Sequence, residues 1–317
     1  MNYQDNKDQH KERRRLVALR PFIEKRARII DSLRRSLKDL GFLEVETPLR
    51  IPAPAPELHI EAEPSGDCFL VTSPELQMKR LLAAGYGNIF QICHCFRRGE
   101  RGERHLPEFT MIEWYRTEAT INELMDDCER LIGNAATATC GFPVIKGQTG
   151  NIDLTPPWER IEVADAFERH AGWRPGARPD PDRFDRDLVS KVEPALPKNR
   201  PVFLVGYPAS QASLARLDPS NPARAERFEL YAGGLELANG FTELVDPDEQ
   251  RKRFTEEAHA RNKAGKAPYP IDEKFLGAME LGLSPCAGIA LGLDRLVMLL
   301  TGAVTIDNVV TFLPNAM

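Results

Sequence analysis

Residues 88–116 read NIFQICHCFRRGERGERHLPEFTMIEWYR, and the fold turns on this stretch. Its first part, Ile89 to Phe96, is rich in β-branched and aromatic residues. A charged, glycine-containing tip follows from Arg97 to Pro107, then a second strand-like run from Glu108 to Tyr115. Two such runs joined by a polar loop predict an antiparallel hairpin. The loop is longer than a hairpin turn requires, and loops of that length are usually functional or disordered. Arg97, Arg98, Arg101, Arg104 and His105 crowd the tip, with Glu100 and Glu103 among them. Side chains alternate along a strand, so Glu113 and Tyr115 face one side of the sheet together. A cationic loop beside a carboxylate and a phenol suits a polyphosphate and an amine. Taken alone, it reads at least as well as a solvated charged tip.

Upstream, residues 1–14 are polar and are expected to be a frayed tail. Apolar residues then recur at helical spacing from Phe22 to Leu40, and Gly41 predicts the stop. The segment FLEVETPLRIP (42–52) is strand-like up to Pro48, and Pro52, Pro54 and Pro56 stiffen the connection after it. A short strand, CFLVT, leads to Ser73-Pro74-Glu75, where the serine is placed to cap a helix running to Ala84.

Downstream, Ile121 to Ala136 is periodic as a helix, while residues 141–200 are irregular and proline-rich, with one helix candidate, Trp158 to His170. That region is expected to be an insertion within a catalytic domain spanning 15–317. PVFLVGYP (201–208) has the pattern of a buried strand, and two further strands flank Gly233-Gly234. Helices are predicted over Pro247–Lys263 and Asp272–Leu281. The chain ends in GIALGLDRLVMLLTG (288–302), a strand-glycine-helix passage. Hairpin-linked strands with helices around them predict an α+β fold on an antiparallel sheet.

Composition narrows the function classes. A net charge of −5 argues against a chain that coats nucleic acid. No apolar run approaches the ~18 residues of a membrane span, and the first residues carry no secretory signal. The six cysteines are scattered without C-x-x-C spacing, which suits reduced thiols in a cytoplasmic protein. Cys93 and Cys95 flank His94, but on a strand the cysteines face away from the histidine, so a shared metal is not expected. There is no phosphate loop of the G-x-x-x-x-G-K-[ST] type and no G-x-G-x-x-G turn. A nucleotide here would be held by arginines and an antiparallel sheet.

Two more stretches carry candidate chemistry. In GLELANGFTEL (234–244), Glu236 and Glu243 are expected to converge on a divalent cation, with Asn239 between them. Exposed strand glutamates explain the spacing equally well. In GIALGLDRLVMLLTG, Gly292 permits close backbone approach and Arg295 opens a helix whose apolar run anchors it in the core.

Taken together and in this order, FLEVETPLRIP, FRRGERGERHLPEFTMIEWY and GIALGLDRLVML resemble the three motifs of class II aminoacyl-tRNA synthetases. RHLPEFTMIEWY, ELANGFTEL and the SPEL at Ser73 resemble the lysyl branch. The first motif begins near Phe42 behind a single helix, so no anticodon-binding barrel is expected. The chain therefore resembles the stand-alone elongation factor P–(R)-β-lysine ligase family. That resemblance implies a homodimer, ATP and Mg²⁺, (R)-β-lysine or lysine as substrate, elongation factor P as acceptor and no stable tRNA binding. Rival readings are a related enzyme acylating tRNA or a small molecule, and a non-catalytic synthetase-like module.

By position, the resemblance implies that Ser73, Pro74, Glu75, Glu113, Tyr115, Asn239, Glu243 and Ala290 hold the amino-acid substrate. Glu75 would take the amino group near the reacting carboxylate, and Tyr115 with Glu243 the distal ammonium. It implies ATP contacts from Arg97, Arg98, Gly99, Glu100, Leu106, Phe109, Glu236, Leu237, Gly292 and Arg295. Arg97 would meet the α-phosphate and Arg295 the γ-phosphate, with Glu236 and Glu243 near the metal. Two departures stand out. Gly99 occupies the position where the family carries a glutamate against adenine, leaving Glu100 one residue along, and Leu106 replaces an asparagine.

Overall fold

The computed structural model describes residues 3–148 and 150–313, with side chains from residue 10 onward. Its centre is an eight-stranded sheet. The strands are β1 (Leu43–Glu44), β2 (Ile89–Phe96), β3 (Glu108–Thr117), β4 (Glu159–Glu162), β5 (Val202–Val205), β6 (Arg227–Ala232), β7 (Leu235–Thr242) and β8 (Cys286–Gly292). Their spatial order is β1-β2-β3-β8-β7-β6-β5-β4. Pairing is antiparallel from β2 to β5, and the two outermost pairs, β1–β2 and β5–β4, are parallel. The hairpin of residues 88–116 is present as β2–β3, with Ile89 opposite Tyr115 and Phe96 opposite Glu108.

One face of the sheet is covered by helices α1 (Tyr3–Asp39), α3 (Ile121–Cys140) and α6 (Leu293–Thr301); α2 (Glu75–Ala83), α4 (Pro247–Lys263) and α5 (Glu273–Gly282) lie elsewhere in the chain. Ile29, Leu33 and Leu37 of α1, Leu124 and Leu131 of α3, and Leu296 and Leu300 of α6 bury against Ile112 and Trp114 of β3. Strand alternation then turns Glu113 and Tyr115 to the opposite face, where the site lies. There Tyr115 packs with Leu76, Phe254 and Phe275.

Local chemistry sets the ends of these elements. Gly41 has φ 82°, and the bonds Phe42 N to Leu37 O and Gly41 N to Lys38 O, both 3.0 Å, close α1 with a Schellman motif. Thr120 and Glu123 form a capping box at the start of α3. Gly233 and Gly234 take φ 61° and 78°, the left-handed pair that a tight hairpin turn needs between β6 and β7.

Three expectations are corrected. The polar residues expected as a tail belong to α1, which runs from Tyr3; the stretch before Pro21 contains no glycine or proline to stop it. Residues 1 and 2 of that expected tail lie outside the described residues. FLEVETPLRIP yields only the two-residue strands Leu43–Glu44 and Arg50–Ile51, separated by Pro48, which has no N–H to donate to a ladder. The helix candidate Trp158–His170 divides into β4 and the helix Val163–Ala171, so the 141–200 region supplies an edge of the main sheet.

Candidate active site

A cavity of about 850 Å³ opens on the sheet face away from α1 and α3. β3, β8, β7 and β6 form its floor, and the loop between β2 and β3 is one wall. The three stretches singled out in the sequence thus meet at one place. Arg97, Gly99, Glu100, Leu106, Phe109, Glu236, Leu237, Gly292 and Arg295 line it, together with Ser73, Glu75, Glu113, Tyr115, Asn239 and Ala290.

One end is cationic. Arg97 stacks over the Phe109 ring at 5.2 Å, and its buried Nε has no hydrogen-bond partner among the described residues. Arg295 stands in the first turn of α6, where Asp294 fixes the helix start by accepting from Thr110 N at 2.7 Å and Arg26 Nη1 at 2.5 Å. Its guanidinium donates to the Glu236 backbone oxygen at 2.9 Å and to the Glu236 carboxylate at 3.1 Å. The ring of His105 lies 2.5 Å from Arg295 Nη2, and burial followed by that neighbouring charge lowers the histidine's pKa. A neutral imidazole accepts from the guanidinium.

The other end is anionic. Ser73 Oγ donates to Glu113 at 2.7 Å and accepts from Glu75 N at 3.1 Å, so one hydroxyl joins the start of α2 to the sheet floor. Tyr115 donates to Glu113 at 2.9 Å. Burial raises Glu113 to about 8, with the Glu75 charge acting in the same direction. Glu243 is closed off behind Tyr115 and Gly288; a Cβ at Gly288 would collide with the side chains of Tyr115 and Glu243. Burial raises Glu243 too, opposed by Lys79, whose ammonium lies against it and donates to Glu75 at 2.6 Å.

Several site expectations change. Arg98 is exposed and lies outside the cavity wall, at the second position of the turn that follows β2; its N–H goes to Glu61 O at 2.7 Å. Pro74 is buried at the entry to α2, behind the wall rather than in it. Leu106 contributes a wall position but is 3% exposed and packs into the main core.

The metal pair also changes. Glu236 lies within β7 and Glu243 just beyond it, so seven extended residues separate them by roughly 23 Å, too far for one ion. A bulge sets Leu230 opposite Ala238 but Tyr231 opposite Glu236, leaving one extra residue in β7. That insertion returns both glutamates to the same face despite their odd spacing. The second carboxylate near Glu236 is Glu229 on β6, and burial followed by the Glu229 charge raises the pKa of Glu236. Among the described residues no three His, Cys, Asp or Glu side chains form a metal cage. One or two carboxylates that add to substrate phosphates are the usual Mg²⁺ arrangement, and Glu236 beside Glu229 fits it.

The sequence reading passed over Glu229 and Lys79. Glu229 accepts from Arg227, Tyr207 and Tyr231, each at 2.6 Å. Lys79 follows Glu75 by one helical turn, a spacing visible in the sequence. Glu229 has no such signal, because its proximity to Glu236 depends on the bulged register of β6 and β7.

Comparison with known proteins agrees with this arrangement. Residues 8–316 match the family model described as tRNA synthetases class II (D, K and N). The chain is 41% identical over 302 residues to an elongation factor P–(R)-β-lysine ligase of Pasteurella multocida, covering 90% of this chain and 93% of that protein. It is 39% identical over 324 residues to the protein of that name from Klebsiella pneumoniae, covering 92% and 94%. The Histophilus somni counterpart is 39% identical over 309 residues, covering 90% and 93%. Matched along nearly its whole length, and with its second and third motif stretches walling one cavity, this chain belongs to the class II (D, K and N) tRNA synthetase family.

Proposed function

We propose that this protein uses ATP to activate (R)-β-lysine, or lysine, as an aminoacyl-adenylate and transfers the acyl group to a lysine side chain of elongation factor P. The observation that carries the reading is the polarity of the cavity. Arg97 and Arg295 stand at one end and Glu75 and Glu113, with Glu243 behind them, at the other. A diammonium carboxylate and a triphosphate fill such a cavity with every charge opposed. The relatives named as ligases of this factor support the acceptor.

In this mechanism Glu75 takes the amino group nearer the carboxylate, and Tyr115 with Glu113 receives the distal ammonium, Glu243 lying closed off behind them against Lys79. Arg97 contacts the α-phosphate and Arg295 the γ-phosphate, while Gly292 lets the nucleotide approach the strand. Leu237 and Phe109 line the nucleotide end. The substrate carboxylate attacks the α-phosphorus and pyrophosphate departs. No strong base is needed; the barrier falls by fixing in-line geometry and drawing charge from the phosphates. Mg²⁺ held by Glu236 and Glu229 would supply further charge neutralisation on the phosphates.

Two supporting proposals concern the whole molecule. Leu43 and Leu49 are 54% and 41% exposed in the 42–52 stretch, which suits a homodimer formed across it. The six cysteines are free thiols, which suits a cytoplasmic location. Among the described residues no helix is long and apolar enough to cross a membrane.

The test is a direct comparison of acceptors. Purified protein is given ATP, Mg²⁺ and either (R)-β-lysine or lysine, first for pyrophosphate exchange and then with purified elongation factor P or tRNA. Exchange with transfer to the factor is the expected result. Acylation of tRNA alone would overturn the acceptor, and absence of exchange would overturn the chemistry.

A further inference from the structure

The cavity has a neighbour that adenylate formation does not use. A second cavity of about 300 Å³ lies beside it, and the two share walls at Glu57, Ser210, Ala212, Ser213, Leu214 and Glu257. Gln250 of α4 lines this smaller space at 1% exposure, and neither its Oε1 nor its Nε2 has a hydrogen-bond partner among the described residues. Leaving a buried donor and acceptor unmatched is costly, so such a side chain points to something that completes it. A primary amide with both groups free matches one peptide unit.

Glu57 stands where the two spaces meet. Among the described residues its carboxylate makes no hydrogen bond or ion pair, whereas its backbone is held by Arg261 Nη1 donating to Glu57 O at 2.7 Å. The charges that bear on it come from four elements: Arg97 on the β2–β3 loop, Glu75 on α2, Glu257 on α4 and Arg227 on β6. Arg97 and Glu75 are the groups assigned above to the α-phosphate and to the amino group beside the reacting carboxylate. Glu57 is thus an unengaged carboxylate beside the place where an acyl-adenylate would sit.

Resting on the proposed function, we infer that the smaller cavity is the entry for the acceptor's peptide segment and that Glu57 takes the proton from its incoming amine. The acceptor ammonium gives one proton to the Glu57 carboxylate and becomes a neutral nucleophile. Its nitrogen then bonds to the acyl carbon, the bond from that carbon to the phosphate oxygen breaks, and AMP leaves. The surplus proton on the new amide nitrogen passes to the departing phosphate. Burial raises Glu57 to about 7, against the pull of Arg97, which makes it a better proton acceptor than an exposed glutamate.

Wild type and Glu57→Gln are compared in pyrophosphate exchange, in hydroxylamine capture of the adenylate, and in transfer to elongation factor P and to Nα-acetyl-lysine. Hydroxylamine is neutral near pH 7 and needs no base. Transfer to both amines is expected to fall about 100-fold relative to exchange and to hydroxamate formation. The rise of wild-type transfer with pH through about 7 disappears in the variant, and Glu57→Asp restores part of the rate. Equal losses in exchange and transfer, or unchanged transfer, would overturn the assignment. Gln250→Leu should raise KM for the factor more than for the small amine; equal effects remove the entry route. If wild type acylates the free amine but not the factor, the proposed acceptor fails, and the free-amine comparison still decides the role of Glu57.

Discussion

The ammonium of Lys79 lies against the carboxylate of Glu243 with both side chains shut off from solvent, and it also donates to Glu75 at 2.6 Å. One internal cation therefore serves both Glu75, assigned to substrate binding, and the enclosed Glu243. Lys79→Met removes it and keeps the volume, leaving Glu243 buried without a counter-charge. A loss of about 3 kcal/mol is expected in denaturant unfolding at pH 7. The deficit should shrink as pH falls, because protonation relieves the uncompensated carboxylate. A cost below about 1 kcal/mol at every pH would show that the pair does not carry stability.

Glu113 gives the site a pH signature. Its folded pKa is raised to about 8, so between about 4.5 and 8 the folded state binds more protons than the unfolded chain. Stability contributed by this group is therefore greatest at low pH and is lost as pH rises through that window. A dicationic substrate needs the ionised carboxylate, so binding lysine near pH 7 should expel protons into the buffer. Calorimetry in buffers of different ionisation enthalpy measures the count, which should fade by pH 9. Buffer-independent heats at pH 7 would contradict the assignment of Glu113 to this end of the cavity.

Ala290 lies between Glu113 on β3 and Asn239 on β7, its register partners on either side, with its side chain on the cavity floor. Its methyl group trims the space beside the substrate backbone. Ala290→Gly should move preference from (R)-β-lysine towards α-lysine, by a ratio worth roughly 1–3 kcal/mol in kcat/KM. An unchanged ratio for the two amino acids would remove this residue from the specificity argument.

How far these features could be read in the sequence depends on the range of the interactions behind them. The hairpin β2–β3 was legible because alternation and a polar tip are local signals, and Gly41 and Gly233-Gly234 announced their turns by backbone freedom alone. Glu113 and Tyr115 followed from period-two geometry, and their hydrogen bond agrees with it. The parallel pairing of β4 with β5 was not legible, since it joins residues some forty positions apart with nothing local to mark it. The bulge in β7 was hidden for the same reason, and with it the grouping of Glu229 with Glu236. Spacing suggested Glu236 with Glu243; cross-strand register decides otherwise.

The loop tip carries the remaining test. Gly99 has φ 80°, and the Glu100 N–H reaches back to Arg97 O at 3.3 Å, so residues 97–100 form a tight turn that only a glycine enters without strain. A glutamate at position 99, where the family pattern carries one, would be strained in this backbone. The turn brings Glu100 to the cavity wall in its place, while Arg98 faces solvent. If the Glu100 carboxylate takes over the adenine amine, Glu100→Ala loses one hydrogen bond to a charged group, worth about 1.5–3 kcal/mol. KM for ATP in pyrophosphate exchange should then rise roughly 10- to 100-fold with kcat little changed, because the contact is made equally before and during reaction. The same variant should discriminate less between ATP and an analogue lacking the adenine amine. An unchanged KM for ATP would assign adenine recognition to the loop backbone, with Glu100 only a solvated charge at its edge.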